Sequence, residues 1–254
     1  MRQAILFKKV KAIAKRFLKL LFRKLGISDQ DQALIRALGL ASFKMTISMM
    51  SKSRSQLRQD LFVIFELKGK KRGYFVEFGA TNGIDLSNTY LLETEFSWTG
   101  ILAEPARVWE RQLKANRPNT SIETLCVWKD SNSSLTFNET AVAELSTVDS
   151  FSDKDDHRNT RLGGKKYEVQ TISLNDLLLK HQAPKQIDYL SIDTEGSEYE
   201  ILKAFNFNEF NIKIITVEHN YTPTRQLIFA LLTSYGYKRK YEKVSHFDDW
   251  YVKS

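Results

Sequence analysis

Tyr74-Phe-Val-Glu-Phe-Gly-Ala-Thr-Asn-Gly83 and, one helical span later, Gly100-Ile-Leu-Ala-Glu-Pro105 decide the reading of this chain. An apolar run ends in a glycine turn, a helix follows, and a second apolar run ends in a carboxylate. That is half of a nucleotide-binding βαβ unit. Glycines let backbone approach a ligand, and the helix start offers free N–H groups. The turn lacks the full G-x-G-x-x-G dinucleotide pattern. Glu77 stands two places before Gly79, where a carboxylate repels a pyrophosphate but suits a cationic amino-acid headgroup. Glu104 ends the second run about 20 residues after the turn, where a carboxylate can accept both ribose hydroxyls. Acid, glycine turn and ribose acid together favour S-adenosylmethionine over NAD.

Outward from this unit, apolar runs predict strands over 73–79, 99–104, 120–127, 186–193 and 212–219. Helical spacing lies between them at 86–96, 106–116, 173–181 and 197–205. Alternating strands and helices predict an α/β fold whose mostly parallel sheet is covered on both faces. Residues 237–243 and 249–252 read as a hairpin that inserts an antiparallel strand. Residues 138–166 are rich in Ser, Asp, Asn and Lys, and read as a long loop, either disordered or a lid.

The chain has 254 residues, 42% hydrophobic and 27% charged, enough for one α/β domain with a sizeable core. A single cysteine, Cys126, excludes an intrachain disulfide framework. The net charge of +8 is unevenly spread. Residues 1–25 hold nine Lys or Arg and no acid, leaving 29 basic and 30 acidic residues elsewhere. No general nucleic-acid surface is expected. Leu6, Val10, Ile13, Phe17, Leu20, Leu21 and Leu25 share one helical face, with lysines opposite. Lysines interrupt every apolar run, which argues against a secretory signal or a membrane span. Such a helix can lie on an anionic membrane surface, pack on the protein's own body, or serve as an organelle presequence. The expected divisions are a basic helix at 1–28, a helical linker at 29–53 and the main domain at 54–254. The expected location is cytoplasmic, or peripheral to a membrane.

Four segments carry a resemblance to a known family. They are Ser55-Gln-Leu-Arg-Gln-Asp60, Phe75-Val-Glu-Phe-Gly-Ala-Thr-Asn-Gly83, Gly100-Ile-Leu-Ala-Glu-Pro105 and Ile187-Asp-Tyr-Leu-Ser-Ile-Asp-Thr-Glu-Gly196. Over residues 53–253 the chain resembles FkbM-type methyltransferases, within the class I S-adenosylmethionine-dependent methyltransferases. The resemblance implies a Rossmann-like seven-stranded sheet with an antiparallel C-terminal strand. It implies that Glu77, Gly79 and Gly83 meet the methionine part and Glu104 the ribose. Asn82 and Asn88 are further polar contacts on this reading, and Val127, Trp128 and Asp130 flank the adenine. The family commonly has Asp where Glu77 stands, which keeps the charge.

Methyl transfer needs an aligned nucleophile, and a hydroxyl needs a base or a metal to help it. Asp193 and Glu195 end the fourth strand; Glu218, His219 and Asn220 end the fifth. His219 or Asp193 can take the hydroxyl proton, with Glu195 beside them. Alternatively Asp193, Glu218 and His219 bind Mg²⁺. His157, in the polar segment, reads as solvated. The expected activity is O-methylation of a sugar, glycolipid or related metabolite. The rivals are a non-catalytic scaffold with the same fold and an NAD-dependent oxidoreductase.

Overall fold

The computed structural model of the chain describes residue 22, residues 27–39 and residues 43–254. The basic helix expected at 1–28 lies outside the described residues apart from positions 22, 27 and 28. Contacts divide the chain into one unit ending at Ser48 and another running from Met49 to Ser254. In the first, helix α1 covers Asp29–Leu38, and its N-cap Ser28 accepts the N–H of Asp31 at 3.0 Å. Helix α2 covers Phe43–Met50. The larger unit begins five residues before the expected 54. Ser53 belongs to it because its hydroxyl donates to buried Asp60 at 2.7 Å, and Ser55 bridges to Leu86.

The larger unit carries helix α3 (Gln59–Glu66), strand β1 (Tyr74–Phe78), α4 (Tyr90–Phe96), β2 (Thr99–Ala103), α5 (Glu110–Asn116) and β3 (Ser121–Glu123). Next come β4 (Cys126–Trp128), β5 (Ser134–Glu139), β6 (Thr147–Val148), β7 (Lys165–Ser173) and α6 (Leu174–Lys180). Then follow β8 (Gln186–Ile192), α7 (Glu198–Ala204), β9 (Asn211–Glu218), α8 (Thr224–Ser234), β10 (Tyr237–Lys240) and β11 (Asp248–Lys253). Seven strands form one sheet in the order β10-β11-β9-β8-β1-β2-β3. Only β11 runs against its neighbours, between β9 and β10. This is the expected Rossmann-like arrangement. Chain order reverses at β1, with β2 on one side and β8 on the other, and that is where such sheets bind ligands.

Both faces of the sheet are covered, which is why its strands read as continuous apolar runs. Phe75, Val76 and Phe78 are all buried, as are Leu190 and Ile192 in β8 and Ile214, Ile215 and Val217 in β9. Helix α6 presents Leu174, Leu177 and Leu178 to that core at the spacing of one helical face. Helix α4 starts at Tyr90 rather than 86. The intervening turn is held open by Asn82 Oδ1, which accepts the N–H groups of Ile84 and Asp85, and by Ser87, which takes those of Thr89 and Tyr90.

The second sheet is the main departure from expectation. Strands β4-β7-β5-β6 form four strands where the sequence suggested one strand and a long loop. The stretch between β5 and β7 is ordered by short 3₁₀ turns at Ala143–Leu145 and Asp149–Phe151. Some of its polar residues are turned inward, as is Asn138 near the end of β5: Thr140, Thr147 and Arg161 are buried, while Asp153, Lys154, Arg158 and Asn159 are exposed.

Trp250, on β11, is a packing residue. It is fully buried and stacks on Phe62 of α3 with ring centroids 4.7 Å apart. Replacing it with Ala should lower the unfolding free energy by about 3–5 kcal/mol, measured by urea titration.

Candidate active site

The ends of β1, β2 and β8 meet because position 79 has no side chain. Gly79 has φ +71, and a Cβ there would lie 1.9 Å from the backbone oxygen of Asp193. Its N–H and that of Ala80 both donate to the Ala103 carbonyl, at 3.1 and 3.3 Å. Glu104 closes the junction. One of its oxygens accepts the Thr81 N–H at 2.9 Å and the other the Ala106 N–H at 2.8 Å. Burial pushes this carboxyl up to about 7 from an ordinary 4.5, against the effect of those two bonds.

A cavity of about 280 Å³ opens over this junction. Glu77, Gly79, Glu104, Asn88 and Val127 line it, as sequence reasoning placed them. Glu77 is nevertheless held by the protein itself. It accepts the N–H of Asn88 at 2.6 Å and the hydroxyls of Ser87 and Thr89. Burial raises its pKa, opposed chiefly by the nearby Arg117 guanidinium. Asn88 donates its amide to Ser191 at 2.9 Å, and its buried Oδ1 has no protein partner.

Three other candidates lie away from the cavity wall. Asn82 folds back on its own turn, as described above, and donates its amide to Asp85 at 2.8 Å. Gly83 serves packing: a Cβ there would meet Leu113 and Arg117 side-chain carbons at 2.7 Å. Asp130 accepts from the Ser133 hydroxyl at 2.7 Å in the turn before β5.

On the opposite wall stand Asp193, Glu195 and Glu218, with carboxylate oxygens all within 4.8 Å of one another. Burial raises all three carboxyls, Asp193 to about 6 and Glu195 to about 9, and Glu218 well above its ordinary value. Repulsion from Asp193 adds to the shifts of the other two. Asn220 donates to Glu218 at 2.8 Å and to Glu195 at 3.2 Å. Glu195 adopts φ +58 and Gly196 φ +125, so the turn after β8 aims the carboxylate back over the strand ends.

His219 does not join them. Successive side chains at a strand end point to opposite faces, and its neighbours Glu218 and Asn220 take the cavity side. His219 is buried elsewhere; its Nδ1 accepts the Tyr221 N–H at 3.0 Å, and its Nε2 lies 3.8 Å from Asp249. Burial lowers its pKa to about 4. The set proposed for Mg²⁺ is corrected in the same way: Glu195 stands where His219 was expected.

Sequence reasoning offered residues 138–166 as a disordered loop or a lid, without the residues that form the roof of this cavity. Val148 and Phe137 of the second sheet face the cavity, with Leu145, Ser146 and His157 from the segment between β5 and β7. Arg161 fastens that segment down. Its fully buried guanidinium reaches the Leu145 carbonyl at 2.8 Å, Asp155 at 2.7 Å and Glu195 at 2.7 Å. Thr147 adds a hydroxyl bond of 2.9 Å to the Glu195 carbonyl. No local pattern announces Arg161, because Glu195 lies 34 residues away in sequence.

A profile of the methyltransferase FkbM domain matches residues 77–239. The chain therefore belongs to the FkbM methyltransferase domain family. No curated protein matches it in sequence. Solved structures similar to it include methyltransferase FkbM from Methylobacillus flagellatus KT, at 11% identity and a TM-score of 0.44. That match covers 71% of this chain, which spans 43% of the length of the Methylobacillus protein. Precorrin-6y C5,15-methyltransferase from Geobacter metallireducens GS-15 aligns at 10% identity and a TM-score of 0.39, covering 76% of this chain and 85% of that one. TrmK from M. capricolum, solved with S-adenosylhomocysteine, aligns at 10% identity and a TM-score of 0.38, covering 79% and 68%. No helix among the described residues is long and apolar enough to cross a membrane.

Two outcomes follow from these electrostatics. Arg161→Ala strands two buried carboxylates and should cost about 3–5 kcal/mol of stability in chemical denaturation. For Glu104, the folded protein holds a proton between pH 4.5 and about 7 that the unfolded chain has released. The stability this contributes is present at low pH and disappears as pH rises through about 7. Glu104→Gln should therefore shrink the loss of unfolding free energy between pH 5 and pH 7 by on the order of 2 kcal/mol, read from urea titrations at each pH.

Proposed function

We propose that this chain transfers the methyl group of S-adenosylmethionine to a hydroxyl of a sugar, glycolipid or related metabolite. The observation that carries this reading is a single cavity at the switch point, walled on one side by Gly79 and Glu104 and on the other by Asp193, Glu195 and Glu218. The residues present fit the donor. Gly79 lines the cavity with backbone alone, Asn88 Oδ1 is buried without a partner, and Glu104 keeps lone pairs beyond its two backbone bonds. The chemistry that a bound S-adenosylmethionine supplies is an electrophilic methyl group on a cationic sulfur.

In this reading Glu104 accepts the ribose hydroxyls and Asn88 meets the amino-acid portion. Val127 and Cys126 bound the space for the base. The wall of carboxyls offsets the donor's positive charge. The roof keeps water from the reacting atoms. We favour a route without metal, because Glu195 already faces a guanidinium at 2.7 Å and Glu218 already accepts from the Asn220 amide at 2.8 Å.

Calorimetry tests the donor site. The wild-type chain should bind S-adenosylmethionine and not NAD. Glu104→Ala should keep its far-ultraviolet circular dichroism and bind about tenfold to a hundredfold more weakly, the worth of hydrogen bonds to a charged group. No heat of binding to the wild type would favour a scaffold and sink the proposal. Labelled methyl transfer to free hexoses, their methyl glycosides and a monohexosyl diacylglycerol, with and without chelator, tests the acceptor class. Loss of transfer with chelator would restore the Mg²⁺ route through Asp193, Glu195 and Glu218.

A further inference from the structure

Of the chain's four histidines, His157 alone lines the cavity. His181 pairs with Glu123 at 3.1 Å, His219 is buried beneath the site, and His246 sits in the turn before β11. The sequence suggested that His157 is solvated. Instead it is half-buried and lines the same cavity as the three carboxyls.

We propose that His157 is a catalytic residue, the group that takes the proton of the acceptor hydroxyl. The assignment rests on the methyl-transfer reading above. Its geometric basis is a chain of contacts from the carboxyl wall to the His157 backbone. Arg161 Nη2 meets Glu195 at 2.7 Å, and its Nη1 meets Asp155 Oδ1 at 2.7 Å. That same Asp155 oxygen accepts the His157 N–H at 2.8 Å. The His157 carbonyl accepts the N–H groups of Thr160 at 2.9 Å and Arg161 at 3.2 Å. Both backbone polar groups of His157 are thus tied, through two buried ion pairs, to the strand ends that hold the donor cavity. The imidazole itself is half-buried, and neither ring nitrogen has a hydrogen-bond partner among the described residues.

The carboxyls opposite are less suited to the task. Glu195 is held by Arg161, Glu218 by Asn220, and Asp193 shares a hydrogen bond with Glu218. A general base works best when its pKa lies near the operating pH, around neutral. Imidazole transfers protons well in that range, and a half-exposed ring can return its proton to water. In the step, the hydroxyl oxygen forms a new bond to the methyl carbon and the carbon–sulfur bond breaks. Its electron pair stays on sulfur, leaving the neutral thioether S-adenosylhomocysteine. The hydroxyl proton passes to an imidazole nitrogen and then to solvent.

The full chain tests this with three readouts. In H157Q, S-adenosylmethionine affinity by calorimetry should stay within about twofold of wild type. Its kcat on the hexose, methyl glycoside or glycolipid probe should fall by about 10²- to 10⁴-fold with little change in KM, the range for losing a general base. His157→Ala should regain part of that rate when free imidazole is added. In chain labelled with ¹⁵N-histidine, S-adenosylhomocysteine should move the ring signals of His157 and leave those of His181 in place. Wild-type kcat in H157Q, or unmoved His157 signals, would overturn the assignment alone. Loss of donor binding in both variants would make His157 a binding residue and also overturn it. A wild-type chain that binds donor but methylates no probe would overturn the hydroxyl reading, and this assignment with it.

Discussion

The close approach of two strand ends at Gly79 is the constraint on which the site depends. The Asp193 carbonyl occupies the space where a side chain at position 79 would be. The end of β8 can therefore lie against the end of β1, and Glu104 can tie the first turn to the end of β2 through Thr81 and Ala106. Without that contact the two walls of the cavity would be separate surfaces. The glycine turn was first legible as a place where backbone could approach a ligand. In the folded chain its first task is to let backbone approach backbone, and the cavity follows from that.

Arg161 is the second fixed point, and it is of a different kind. A buried guanidinium holds its place only with partners that satisfy it. Here those partners come from the roof and from the turn after β8, at Leu145, Asp155 and Glu195. The roof therefore needs no large apolar core of its own. Several of its polar residues point inward and bond to one another, as the Asn138 amide does in donating to Ser152 and to the Arg161 carbonyl. Composition alone cannot separate such a segment from a solvated loop, because the same Ser, Asp, Asn and Arg serve both.

What was legible in the sequence follows the same division. Strands β1, β2, β8 and β9 are buried on both faces and announce themselves as apolar runs, so the sheet, its direction and its switch point could be read. Asp193, Glu195, Glu218 and Glu104 were found because strand ends are where such sheets place function. Facing was harder. Glu218 and His219 are adjacent, and a boundary uncertain by one residue exchanges which of them enters the cavity. Strands β5 and β7 did carry a period-two signal, in Leu135 and Phe137 and again in Tyr167 and Val169. The exposed Lys166 and Glu168 masked it in β7, and the short β5 alternates only with the uncharged Ser134 and Thr136. Arg161 offered no local signal, since each of its functions exists only across the fold.

The cavity also contains a place where the sequence works against its own stability. Three carboxyls within 4.8 Å of one another, with Glu104 close enough to Asp193 to feel its charge, are an unfavourable thing to bury. A fold selected only for stability would replace some of them with apolar residues at little cost. Conflicts of this kind are expected where function overrides packing. Their sign is informative. An anionic group such as a pyrophosphate would add to the repulsion, whereas a cation in the same space would relieve it. Arg161 compensates only one side of the cluster, at Glu195. The sign of this cluster fits the positively charged donor proposed above better than a nicotinamide dinucleotide, on grounds independent of the glycine pattern.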